Sequence, residues 1–267
     1  MSNKNDDSDA KKIEIRLPYE KLITDALSPS IKTIGLALNG ITTQLFKPLL
    51  KMNIYNQADL DDFSSKIEHK LNQIPDNNKD DTKLGLLLKS FTESQYQLND
   101  EMLREMFANL ISSTVDSTKN NLISPRYPLI LSQLNHKNAI FLNTIAHNQF
   151  AIFPCFQISK RDKDNTGGTM ISPIYIGLNF DINNLLTDNS SIDVLSSLGI
   201  IKHSDDGYSS SPLGKEFYKD AESTLLFKKA TSSYSSSDDV ISIQKEYMQF
   251  TDFGKEFIKI ICKVIPA

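Results

Sequence analysis

Apolar residues recur at spacings of three and four through the first part of the chain, and this period predicts amphipathic helices. The first predicted helix starts at Ser28-Pro29, where a hydroxyl can cap and a proline is tolerated, and it ends at Pro48. The following predicted helices span residues 59–74, 84–91 and 99–119, and two more start at Ser124-Pro125 and after Asn135. Residues 13–149 are therefore predicted to form a helical bundle.

The pattern changes at Phe150, where β-like apolar runs replace the helical period. One run covers residues 150–158 and a second covers 170–178, with a polar loop between them. Pro154 and Pro173 interrupt these runs, and a proline cannot donate to a strand ladder. We therefore expect edge or irregular strands in a small hairpin, not the core of a sheet.

The remaining elements are predicted in the order helix, strand, turn, strand and helix. A helix over residues 190–198 stops at Gly199, and the turn Asp205-Asp206-Gly207-Tyr208 follows. A returning strand over 240–250 and a terminal helix over 252–264 complete the order, which is typical of a winged helix. The expected fold is mainly α, with the helical bundle followed by a small α+β, winged-helix-like region over residues 150–267.

The composition disfavours some classes of function but does not identify the function. The 267 residues include 29 Lys and Arg and 33 Asp and Glu, a net charge of −4 that disfavours broad attachment to phosphate backbones or anionic lipid. Residues 1–12 are polar, carry no apolar signal region and are predicted to be disordered, which favours a cytoplasmic protein. No apolar stretch reaches the roughly 18–20 residues that span a bilayer.

No catalytic, cofactor-binding or metal-binding residue is predicted, and we expect a protein that is not an enzyme. His136 and His147 share a helix face, but about 16 Å of helix separates them, too far for one metal ion. Cys155 and Cys262 lie far apart and are predicted to be buried, reduced thiols. The chain contains neither a phosphate-binding glycine loop nor a G-x-S-x-G nucleophile turn.

Two interaction modes remain as alternatives to protein contact. A DNA-binding regulator is disfavoured, because residues 190–199 carry no basic side chain and Asp205 and Asp206 tip the expected wing. A membrane-permeabilising effector is possible through the uncharged helix from Thr33 to Phe46, although a core helix of the bundle is the favoured interpretation.

Several segments together resemble the abortive-infection alpha family of bacterial phage-defence domains. They are Leu98-Asn-Asp-Glu-Met-Leu-Arg-Glu-Met-Phe-Ala-Asn-Leu-Ile-Ser-Ser-Thr-Val-Asp, Ser124-Pro-Arg-Tyr, Leu131-Ser-Gln-Leu, Leu198-Gly-Ile-Ile and Thr251-Asp-Phe-Gly-Lys-Glu-Phe. The resemblance extends over residues 28–263, and residues 212–237 look like an insertion between the wing strands. It implies antiviral defence through contact with another macromolecule, most naturally a host or phage protein, and it carries over no catalytic residue.

Leu213-Gly-Lys-Glu-Phe-Tyr-Lys and Phe253-Gly-Lys-Glu-Phe-Ile-Lys echo each other. The match is too short for a duplicated domain. We interpret it as two similar helix starts.

Overall fold

The structure is a computed structural model that describes residues 56–162, 168–205, 207, 209–234 and 239–264. The predicted disorder of residues 1–12 lies outside these ranges. So does the predicted helix after Ser28-Pro29, including the segment from Thr33 to Phe46.

Five helices form the first layer, and their caps explain where they begin. Their bounds are α1 Gln57–Asn72, α2 Leu84–Ser94, α3 Glu101–Thr114, α4 Tyr127–Ser132 and α5 His136–Ala146. Asn56 and Asp100 each accept a backbone N–H at the start of α1 and α3, and Asn135 forms a capping box on α5. The predicted helices that fall within the described ranges are confirmed, but Asp100 caps α3 in place of Asn99, and α4 begins two residues after Pro125.

The helix α3 is the centre of this layer. Every residue from Met106 to Thr114 is buried, and so are Leu103 and Arg104. Helices α1, α2, α4 and α5 all contact it. A helix that is buried on all sides organises the core instead of presenting one face to solvent.

Six strands of the described chain form one antiparallel sheet. Their bounds are β1 Ile152–Asp162, β2 Gly168–Met170, β3 Tyr175–Gly177, β4 Leu185–Leu186, β5 Ile201–Ser204 and β6 Asp239–Phe250. The strand order is β4-β3-β1-β6-β5, and β2 also pairs with β1. β1 lies at the centre and pairs with β6 at eleven positions, from Ile152↔Gln249 to Asp162↔Asp239.

The predicted edge character of the Pro154 run is therefore wrong. The N–H of Phe250 donates to the Ala151 carbonyl. Backbone groups in an antiparallel ladder bond to a given neighbour at every second residue, so Phe153 also bonds to β6. The nitrogen of Pro154 faces the opposite side, at the level where β3 ends at Gly177. The missing N–H of Pro154 thus falls at the end of the short ladder between β1 and β3. The strand β1 therefore continues through Pro154 and keeps its pairing with β6.

The second face of the sheet is covered by helices that come from the predicted insertion. Residues 212–237 contain α7 Pro212–Ala221 and α8 Leu225–Tyr234. Phe217, Tyr218 and Ala221 of α7 form a second core with Phe156 and Ile158 of β1. The opposite face of the sheet, with Phe153 and Met248 among its residues, belongs to the main core with the first helical layer.

The predicted fold class is thus wrong, because the protein is mixed α+β with a substantial sheet between helical layers. The predicted short helix, returning strand and terminal helix do form, as α6 Asn189–Ser197, β6 and α9 Asp252–Ile261. However, β6 pairs with β5 at only four positions and with β1 at eleven, so it is a core strand and not the arm of a wing. Two residues of the expected wing turn, Asp206 and Tyr208, lie outside the described ranges.

Candidate functional site: a pocket at the end of the sheet

The segments that carry the family resemblance lie in the interior, where they connect different helices and strands to one another. Arg104 donates to Asp62 (2.8 Å) and Asp59 (2.9 Å) and to the Leu98 carbonyl, which fastens α3 to α1 and to its own N-terminal loop. Asn109 is buried and donates to the Ile261 carbonyl at 2.7 Å, at the end of α9. These two polar residues therefore hold α3 to α1, to its own N-terminal loop and to the end of α9.

The later segments form the contact between α4, α9 and the start of β5. Tyr127 packs edge-on against Phe253 and Phe257, with ring centroids 5.6 and 5.0 Å apart. The Thr251 hydroxyl donates to the Gly199 carbonyl at 2.6 Å. A Cβ on Gly254 would lie 1.9 Å from the Ile200 oxygen, so only glycine fits there.

Three polar side chains, Glu246, His203 and Cys155, lie near one another on the sheet face that meets the first helical layer. Glu246 is fully buried, and one of its oxygens lies 2.9 Å from Nε2 of His203, while the other has no hydrogen-bond partner among the described residues. Cys155 lies directly opposite Glu246 in the ladder. Burial, assisted by the Glu246 charge, raises the pKa of the Cys155 thiol well above its usual value. This thiol stays protonated, so the cluster offers no nucleophile.

A pocket of about 630 Å³ opens at the end of the sheet where β1 begins and β6 ends. We call it the strand-end pocket. Its apolar lining consists of Phe150, Ala151, Ile152, Phe180, Leu213 and Phe250. Its polar lining consists of Ser209, Ser211, Gln249 and Lys255. The volume lies within the range of about 300–1,000 Å³ that is typical of ligand sites.

The floor of the pocket includes an end of the second sheet face that α7 leaves open. Side chains alternate between the faces of a strand, so Ile152 lies on the same face as Phe156 and Ile158. Phe217 of α7 packs on Phe156, with centroids 6.0 Å apart, whereas Ile152 remains 43% exposed. The helix α7 begins at this level, and its second residue, Leu213, is 49% exposed and forms a wall of the pocket.

One wall is held in place by an unusual backbone conformation. Asn179 and Phe180 both have positive φ, 55° and 59°, in the turn after β3. Asn179 accepts from the Gln149 N–H at 3.0 Å, and its own N–H donates to the Asn148 side chain at 2.8 Å. The Phe180 ring is thereby held edge-on to Phe150, 5.2 Å between centroids. Positive φ costs about 1–3 kcal/mol per non-glycine residue and is concentrated at ligand-binding sites.

The polar groups of the pocket include one cation and no carboxylate among the lining residues that the structure describes. Lys255 lies in the first turns of α9, and its ammonium is 3.1 Å from the exposed Asp252. The Ser209 and Ser211 hydroxyls lie 3.0 Å apart, and the Gln249 amide makes no hydrogen bond to another described residue. None of the described lining residues is an acid or a histidine that could act as a general base beside Lys255.

The residues that the sequence singled out lie apart from this pocket. His136 pairs with Asp100 at 2.5 Å, and His147 bonds to the Asn143 carbonyl of its own helix. Both cysteines are free, with Cys155 buried and Cys262 half-buried. Among the described residues no group of three or more His, Cys, Asp or Glu side chains is placed to hold a metal ion. In the same ranges no helix is long and apolar enough to cross a membrane.

The helix predicted to resemble a recognition helix is α6, and it packs against α5. Ser191 of α6 accepts from Asn138 of α5 at 2.9 Å. The α6 cap Asp188 pairs with Lys137 of α5 at 2.7 Å. Burial opposes ionisation of Asp188, but bonds from Lys137 and Ser191 outweigh it and lower its pKa to about 2. An anionic cap and a buried face are both unfavourable for contact with a duplex.

Sequence reasoning missed every residue of the strand-end pocket. One signal was present in the repeated helix starts, because Leu213 follows the Ser211 cap and Lys255 follows the Thr251 cap. Both caps accept from a glycine N–H three residues on, as the interpretation of two similar helix starts requires. Nothing in the local sequence predicts the positive φ at Phe180.

A family profile described as abortive infection alpha matches residues 55–261 of the chain. No curated protein and no solved structure matches it.

Proposed function

Because this chain belongs to the abortive infection alpha family, we propose that it acts in defence against phage by binding another protein in the strand-end pocket. The family supports the role in abortive infection. The binding mode rests on a single observation, the open apolar pocket of about 630 Å³ with few polar groups. Large exposed apolar side chains grouped in a concave site are typical of recognition surfaces.

Other modes of action find less support in the described residues. The winged-helix interpretation, on which the DNA-binding alternative depended, does not hold, and α6 is packed against α5. The membrane alternative depends on the segment from Thr33 to Phe46, which lies outside the described ranges.

The test is a phage-plating assay on a susceptible bacterial host that expresses the protein. Ile152→Glu and Leu213→Glu each place a charge in the pocket at a residue that is almost half exposed, so the fold should persist. Val240→Glu, 47% exposed on β6, is the matched strand control, and Leu225→Glu, at the start of α8, is the matched helix control.

We expect the wild type and both control variants to reduce plaque numbers, and both pocket variants to lose most of this protection. Circular dichroism and urea unfolding show whether each variant is folded. Pocket variants that are folded and protect as well as the wild type would refute binding in the pocket as the mode of defence.

A further inference from the structure

The ammonium of Lys255 is the charge that an occupant of the strand-end pocket would meet. Among the residues that the structure describes, its one partner is Asp252, three residues earlier on α9, at 3.1 Å. The Asp252 side chain is fully exposed and that of Lys255 is 42% exposed, so solvent screens their attraction. A ligand carboxylate that is partly removed from water can therefore replace Asp252 as the partner of Lys255.

The neighbouring polar groups complement the same kind of ligand. The Gln249 side-chain N–H₂ makes no hydrogen bond to another residue of the described ranges, and Ile152 lies directly opposite Gln249 in the ladder. The Ser211 hydroxyl oxygen already accepts from Gly214 and shares a hydrogen bond of 3.0 Å with the Ser209 hydroxyl, which leaves one of the two hydroxyl hydrogens to donate. Donors and one cation on an apolar floor match an acceptor with negative charge that is joined to an apolar body.

From this arrangement we infer that the strand-end pocket recognises a peptide segment in which a carboxylate directly adjoins a large apolar side chain. The apolar side chain packs between Phe180, Leu213 and Ile152, and the carboxylate bonds to Lys255. This inference rests on the proposed function, since it names the chemistry of the protein that binds there. The carboxylate has two sources, an Asp or Glu side chain or the C-terminus of a chain.

Three synthetic peptides separate these possibilities. N-acetyl-Phe-Leu with a free C-terminus carries the terminal carboxylate, and N-acetyl-Phe-Leu-Asp-amide carries the side-chain carboxylate. N-acetyl-Phe-Leu-amide is the neutral reference. Binding to the full chain is measured by NMR titration, with Lys255→Met as the test variant and Lys259→Met, an exposed lysine one turn later on α9, as the control.

We expect at least one acidic peptide to bind about fivefold more tightly than the neutral amide, as a partly exposed charge pair allows. Lys255→Met should abolish this preference, and Lys259→Met should keep it. Which acidic peptide is preferred identifies the source of the carboxylate.

Equal binding of all three peptides would overturn the inference, and so would a preference that survives in Lys255→Met. Absence of binding by every peptide would overturn it as well. None of these results decides the proposed function, because the plating assay with Ile152→Glu and Leu213→Glu tests pocket-dependent defence whatever the ligand chemistry is.

Discussion

Replacement of Gly254 by alanine should be among the most damaging single changes in the protein. An added Cβ would lie 1.9 Å from the Ile200 oxygen and 2.8 Å from its carbonyl carbon. A carbon approaches a carbonyl oxygen no closer than about 3.3 Å, so α9 and the start of β5 must separate by about 1.4 Å. Both partners are backbone, and neither can rotate away.

The energetic cost follows from the contacts at this point. Overpacking costs about 1–3 kcal/mol, and each hydrogen bond lost adds about 1 kcal/mol. The bonds at risk are those from the Thr251 N–H to Ile200 and from the Thr251 hydroxyl to Gly199, at 3.1 and 2.6 Å. We expect Gly254→Ala to lose about 3–5 kcal/mol, a large part of the roughly 5–15 kcal/mol of a native protein.

Two other glycines serve as controls in the same urea unfolding experiment, followed by far-UV circular dichroism. Gly85 in α2 has no atom within 4 Å of an added Cβ, so Gly85→Ala should stabilise the protein by about 0.5–1 kcal/mol. At Gly214 the Cβ would lie 2.4 Å from the oxygen of Ser209, a loop residue that can move, so the loss should be smaller than at Gly254. A Gly254→Ala variant within about 1 kcal/mol of the wild type would refute the reasoning.

Three further predictions concern stability and reactivity. The pKa of Asp188 is about 2 in the folded state against 3.8 ordinarily, so its contribution of about 2 kcal/mol is present above pH 3.8 and is lost as pH falls towards 2. The difference in unfolding free energy between wild type and Asp188→Asn should shrink over that range, and a constant difference would contradict this assignment. Arg104→Met should destabilise the protein by about 2–3 kcal/mol in urea unfolding, because it removes the guanidinium from Asp59 and leaves Asp62 with Lys66 alone, and an unchanged midpoint would contradict it. Burial raises the pKa of Cys155 well above its usual value and that of Cys262 to about 12, so a thiol reagent at neutral pH should modify both only after unfolding. Rapid modification of the native protein would disprove the burial of these thiols.

The helices were predictable because their determinants are local. Asn56 and Asn135 cap α1 and α5 through bonds to residues three positions away. The spacing of apolar residues along α3 likewise predicts a helix with a buried face. The central sheet was not predictable in this way. Whether Pro154 weakens the sheet depends on which neighbouring strand its nitrogen faces and on where that strand ends. The register places this nitrogen on the side of β3, which ends at Gly177.

The site was harder to predict than the fold. Phe150, Phe180, Leu213 and Lys255 come from four separate elements, and each is an ordinary residue in its own segment. The segments that resemble the family drew attention to Arg104 and Asn109, which hold the structure together. Sequence likeness therefore indicated the scaffold, whereas the strand-end pocket depends on how the ends of β1, α7 and α9 come together.

The pairing of β1 with β6 also determines how the protein can be made. The two strands bond at eleven positions, yet α6, β5, α7 and α8 are translated between them. Closing so long a loop is slow, and until residue 250 has left the ribosome β1 has an unpaired edge beside apolar residues such as Phe153. The helices α1 to α5 also lack the Ile261 carbonyl that Asn109 binds. Ribosomes that stall before α9 would therefore release an aggregation-prone fragment, so the amount of working protein in a cell depends on complete translation.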